Sequence, residues 1–370
     1  MLRRRPISRG SSSVAQRLLA GPAAALALTL GAACAPAAAP EPLAPGPQAQ
    51  PAARTEGELV LYSARKEDLM QPVIDLFQEK TGVKVTVKSG APGELALLIE
   101  QEKSSPRGDV YFTTDVATAE SLRLKALLEP YKSPSAATIP DEFKATDGAW
   151  TGVIGRARTI MYNTRLLTPE QAPKSVFELT DARWKDKVAV ASIREGGVRL
   201  WLASLILQNG EDFAVKYVND LKNNGVKVLA NHTEVRKAVG RGEVPVGLTN
   251  HYYYVFEKKD GSPVDQVYPD QGPNDVGTLV TPLVVAIMKG AQHPQAARAF
   301  VDFVLTPEGV QPMTTQEAEF PLVPGASLGD AGVPGVKPID QIKRPSVDVT
   351  ALAAAQQRAV ELFTPVLGGP

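Results

Sequence analysis

Residues 58 to 88 read strand, helix, strand, and no other feature narrows the fold of this chain more. "ELVLYSA" alternates toward a buried strand. "DLMQPVIDLFQEKTG" then places Leu69, Val73, Leu76 and Phe77 on one helical face and closes at Gly82, and "VKVTVK" supplies the next strand. "PGELALLIEQEK" and "GDVYFTTD" continue the alternation, which predicts a doubly wound α/β lobe. In such sheets ligands sit at the carboxyl ends of strands, so the loops 63–67, 89–93 and 113–115 are the expected ligand loops.

A second α/β unit follows. "DKVAVASI" opens it, "VRLWLASLILQNG" is its first helix, and "VKVLAN", "TEVRKAVGRG" and "VPVGLTN" repeat the alternation. Two long apolar strands, "GVIGRARTIMYNT" and "GTLVTPLVVAIMK", separate the units and read as hinge crossings. At 370 residues the chain exceeds one ordinary core. The expected architecture is two lobes, residues 58–150 with 278–323 and residues 151–277 with 324–370. "DVTALAAAQQRAVELFTPVLG" predicts a closing helix ended by Pro365 and Gly368.

The first fifty residues differ in kind. Arg3, Arg4, Arg5, Arg9 and Arg17 precede the apolar run "LLAGPAAALALTLGAAC", a pattern that predicts a secretion signal over residues 1–33. Cys34, the only cysteine, resembles the lipidated cysteine of bacterial lipoproteins, and a diacylated Cys34 would anchor the protein to a membrane without spanning it. The alternative is an incidental cysteine in a signal cleaved just beyond, within "APAAAP". The Pro- and Ala-rich residues 34–57 read as an extended tether.

Forty basic and forty acidic residues leave no basic excess for nucleic acid. The three histidines, His232, His251 and His293, form no His-Glu-x-x-His motif, and no CxxC pair, Gly-x-Ser-x-Gly elbow or phosphate-binding glycine loop occurs. These absences favour a binding protein over an enzyme. The most unusual stretch is "TNHYYYVF", whose Tyr252, Tyr253 and Tyr254 either pack or serve as oxygen ligands. On a strand, adjacent phenols would face opposite ways. A helix capped by Asn250 and ended near Gly261 instead lets Tyr252 and Tyr253 fan out from its positive end while Tyr254 packs.

"FQEKTGVKV", "RGDVYFTTD", "ARWKDKVAVAS", "RGEVPVGLTNHYYY" and "HPQAARAFVDFVLTPEGVQ", in this order, resemble the ferric-iron-binding branch of bacterial ABC-transporter solute-binding proteins across residues 58–325. The resemblance implies a two-lobed type 2 periplasmic-binding-protein fold, each lobe a doubly wound sheet. It implies a monomer that closes on its solute by hinge motion and delivers it to a permease and its ATPase in the cell envelope. It further implies Fe³⁺ as solute, Tyr252 and Tyr253 as ligands, and a synergistic anion (carbonate, phosphate or citrate). A hard trivalent cation suits phenolate oxygens, and its charge can deprotonate them.

Other positions depart from that family. Lys66 stands where many members have histidine, and Glu67 beside it is either an oxygen ligand or a solvated charge. Arg65 either holds an anion or faces water. Glycine at 196 and 197 replaces a further tyrosine; with Ser192 and Arg194 these residues form either an anion site at a helix N-terminus or a tight turn. Asn231 matches an asparagine near the anion and is also a good helix cap. Asp115 matches a loop bordering the cleft, whereas Thr113 and Thr114 stand where some relatives carry an acidic ligand. Arg156 and Arg158 either neutralise an anion or pair charges between lobes. Two alternatives therefore stay open: an organic or inorganic anion as solute without metal, and a sensory module read by a membrane receptor.

Overall fold

Alternation of buried apolar residues along Glu58–Ser63 makes β1, and the helix that follows buries Met70, Val73, Ile74 and Phe77 on one side. In this computed structural model, residues 57–328 and 333–368 are described. The expected secretion signal, Cys34 and the tether up to residue 56 lie outside them.

In chain order the strands are β1 (Glu58–Ser63), β2 (Lys84–Ser89), β3 (Val110–Thr113), β4 (Leu128–Glu129), β5 (Thr151–Asn163), β6 (Val188–Ala191), β7 (Lys227–Leu229), β8 (Val246–Asn250), β9 (Val264–Val267), β10 (Val280–Met288) and β11 (Phe320–Pro321). The helices are α1 (Glu67–Thr81), α2 (Pro92–Gln101), α3 (Val116–Leu124), α4 (Gly196–Asn209), α5 (Glu211–Asn223), α6 (His232–Arg241), α7 (His251–Lys259), α8 (Pro294–Val304), α9 (Pro307–Glu317) and α10 (Val349–Leu367).

The strands run in the order β2-β1-β3-β10-β5-β8-β6-β7. Strand β5 belongs to both halves: residues from Thr151 to Ala157 pair with β10, and Arg158 to Tyr162 pair with β8. Strand β10 begins at this crossing, with Val280 opposite Ala157, and the Arg158 amide donates to the Leu279 carbonyl. On one face of the first half, α1, α8 and α9 enclose Phe77, Phe112, Phe300 and Phe320. The core on the other face, with α2 and α3, runs on into the second half through α10.

The segment before α10 returns to the first half. Arg344 pairs with Glu142 at 2.7 Å, and Ile342 joins that half's core. Only then does α10 pack along α4, α3 and α5.

Candidate functional site

Three neighbouring parallel strands, β6, β7 and β8, each turn at their carboxyl end into a helix, namely α4, α6 and α7. Three positive helix N-termini therefore face the region where β5 crosses. Asn250 takes the cap position of α7, yet its side chain does not cap it. Instead Asn250 Oδ1 accepts from Arg158 Nη1 at 3.3 Å.

The helix beginning at His251 brings the first two phenols together. The rings of Tyr252 and Tyr253 lie 4.4 Å apart and 32° from parallel, and the Arg156 guanidinium sits 5.0 Å from the Tyr252 ring centre. Tyr252 is buried and Tyr253 half-buried. Burial raises both phenols, and Arg156 opposes the rise at Tyr252. Tyr254 turns into the core, where its hydroxyl donates to the Pro334 carbonyl.

Arg158 is the outlying charge. It is buried, no carboxylate pairs with it among the described residues, and its Nε and Nη2 lack hydrogen-bond partners. Burial pushes it down to about 10. Its Nη1 lies 3.2 Å from His232 Nε2, which must accept there. Burial, then Arg158, holds His232 well below the usual imidazole range, so it is neutral. Gly197 closes the cradle: a Cβ there would stand 3.4 Å from His232 Nε2, 3.5 Å from Arg158 Nη1 and 3.6 Å from Asn250 Nδ2. Backbone amides, a buried cation and an amide side chain thus converge.

Several expected anion contacts are engaged otherwise. Arg65 does not face water: it is buried, with Nη1 2.6 Å from Glu319 and Nη2 3.4 Å from Glu317. Asp115 caps α3 through the Ala117 amide and pairs with Arg199 at 3.3 Å. Ser192 Oγ donates to the Gly368 carbonyl at 2.5 Å. Asn231 accepts from the Glu234 amide and caps α6. Arg194 is exposed, and its carbonyl accepts from Arg199. Gly196 is the first residue of α4, 3.3 Å from Asp115 by the same Cβ test. Lys66 and Glu67 are exposed where α1 begins.

Four residues that sequence reasoning passed over help build the site. Glu319 is fully enclosed and bonds both Arg65 and Arg156. Burial alone would raise it, but Arg156 and Arg65 hold it below the usual carboxylate range. Glu317, two residues earlier, is raised by burial and then by Glu319. Glu195, before α4, is raised by burial against the pull of Arg158 and Arg199. His251 staples the crossing: its Nδ1 accepts the Ala157 amide at 3.1 Å, and its Nε2 donates to the Ala318 carbonyl at 2.9 Å. The "EAEF" stretch, carboxylates among apolar residues, carried the signal for the acidic pair. Among the described residues no three His, Cys, Asp or Glu cluster as a metal site.

The profile of the family described as bacterial extracellular solute-binding protein matches residues 59–316. The Fe(3+)-binding periplasmic protein of Serratia marcescens is 28% identical over 321 residues, covering 85% of this chain and 92% of that one. Iron-bound HitA of Pseudomonas aeruginosa superposes with a TM-score of 0.75 at 29% identity, over 84% of this chain and 99% of that chain. A Trichodesmium protein in complex with iron and citrate matches with a TM-score of 0.75 at 26% identity, over 84% of this chain and 99% of its own. The fold they share is the two-lobed type 2 periplasmic-binding-protein fold.

Proposed function

This chain belongs to the bacterial extracellular solute-binding proteins, and from that premise we propose that it captures ferric iron for an ABC permease and its ATPase. The observation that carries the reading is the pair Tyr252 and Tyr253, ring against ring at the N-terminus of α7 beside Arg156. Two phenolates offset much of a trivalent charge and match its preference for oxygen. The named relatives, an Fe(3+)-binding periplasmic protein among them, are binding proteins, which supports binding rather than catalysis and a periplasmic setting. Diacylation of Cys34 would hold a monomer at the membrane surface.

An anion completes the shell in this reading. Arg158, the Gly197 region and Asn250 supply the cradle, and the charge of carbonate, phosphate or citrate complements the Arg158 guanidinium. The hinge lies where β5 crosses, so the solute is enclosed as residues 58–150 with 278–323 close on residues 151–277 and the C-terminal helix.

A titration of the purified protein with ferric ion and bicarbonate or citrate tests this. A visible tyrosinate-to-iron charge-transfer band is expected. Absence of the band, or its persistence in both Tyr252→Phe and Tyr253→Phe, overturns the iron assignment. One observation favours a second reading, an anionic organic or inorganic solute without metal: Arg158 is a buried cation with no carboxylate partner among the described residues. Tight anion binding in metal-free buffer would select it.

A further inference from the structure

We infer that Glu317 is the carboxylate by which the first half of the molecule reaches the ion held on Tyr252 and Tyr253. The inference rests on the iron reading above and names a ligand that the reading leaves unfilled.

The two carboxylates that follow α9 differ in what they already do. Glu319 bonds Arg65 and Arg156 and is wholly enclosed, so it serves as their counter-charge. Glu317 is only 7% exposed, and its Oε2 makes no hydrogen bond. Arg65 Nη2 lies 3.4 Å from that oxygen and Arg156 Nη2 3.8 Å, ion-pair distances without a hydrogen bond. A buried carboxylate oxygen without a donor is costly unless something else uses it.

Arg156 links it to the phenol pair. Arg156, its Nη2 3.8 Å from Glu317 Oε2, covers the Tyr252 ring at 5.0 Å. The backbone holds this neighbourhood rigidly. His251, immediately before Tyr252, donates to the carbonyl of Ala318, immediately after Glu317, and its ring stacks on Phe320 at 4.0 Å. Ala318 adopts a left-handed φ of 54°, ending α9 so that Glu317 and Glu319 both turn toward the arginines.

Chemistry and topology then agree. A carboxylate oxygen is a hard donor suited to the ion that two phenolates would take. Exposed Glu67, the acidic candidate in the first loop, makes no hydrogen bond or ion pair with another described residue. Glu317 closes α9 in the first half, whereas the tyrosines open α7 beside β8 in the second. An ion bound by both would bridge the halves at the β5 crossing.

The test compares wild-type protein with Glu317→Gln and Glu317→Asp, using ferric ion in competition with citrate and following the tyrosinate band together with melting of the iron-free protein. Gln is expected to weaken iron retention by at least the roughly 10- to 100-fold that even outer partners of a metal command, and to move the band. Asp is expected to restore part of both. Should the Gln variant not fold, the Asp variant with its shortened reach carries the comparison. A Gln variant that changes only the melting of the iron-free protein, with retention and band as in wild type, makes Glu317 a structural counter-charge and overturns the inference alone. Wild-type protein that forms no band removes the iron reading and this inference with it.

Discussion

The imidazole of His251 and the carbonyl of Ala318 meet at 2.9 Å, and because the other ring nitrogen accepts the Ala157 amide, the proton is assigned to Nε2. Burial pushes His251 from 6.5 down to about 4. The unfolded chain therefore takes up this proton first as pH falls. Stability supplied by neutral His251 is complete above about pH 6.5 and is lost between there and pH 4, amounting to about 3 kcal/mol. Buried His232 acts in the same direction. Chemical denaturation at a series of pH values should show this slope, and His251→Gln should be less stable at pH 7 and less steep below it.

Arg158 is buried with no ion-pair partner among the described residues, so replacing it relieves a desolvation cost. Arg158→Met should melt at the same temperature as wild type or higher, by up to about 1 kcal/mol in stability, while losing the anion dependence of solute binding. Calorimetry of the solute-free protein, paired with an anion titration, separates the two effects.

Gly197 tests the cradle from the other side. An added methyl meets only ordinary contacts at 3.4 to 3.6 Å, so Gly197→Ala should fold normally and gain up to about 1 kcal/mol in helix stability. The same methyl occupies space next to Arg158 and His232, so anion affinity should fall. Isothermal titration with phosphate and with citrate reads that loss.

Both phenols are protonated in the solute-free site because burial raises them. Ferric loading should therefore release two protons from the pair, and each unit of acidification should cost about 100-fold in affinity. Proton release in weak buffer measures this directly; release unchanged by Tyr252→Phe would contradict it.

Asp115 combines a helix cap with an ion pair. Asp115→Ala should cost about 1 kcal/mol or more, whereas Asp115→Asn keeps the cap to Ala117 and loses the charge opposite Arg199 together with an acceptor for Gln356 Nε2. Denaturant midpoints of the two variants give the split.

The strand and helix periods were legible because each is written in adjacent residues, although on α1 the buried face runs through Met70 and Ile74 and leaves Leu69 and Leu76 half-buried. The phenol pair was legible for the same reason, once a helix at His251 replaced continuation of the strand. The ionic group around it was not. Arg65 and Glu319 are 254 positions apart, and nothing local marks either as the other's partner. Asn250 shows the converse: its type and position predict a cap, but buried Arg158 claims the side chain oxygen. Arg156 and Arg158, two residues apart on β5, share a face as the strand period requires, yet one meets carboxylates and the other none among the described residues.

Strand β10 lies between β3 and β5, pairing Val285 with Phe112 on one side and with Thr151 on the other. The middle of the first sheet is thus filled by a segment made after strands β6 to β9 of the second half. Until it arrives, β3 and β5 have open edges and cannot become neighbours. Such non-local pairing delays folding until synthesis is nearly complete. A growing chain with this topology stays threadable for longer than one whose sheet assembles in order.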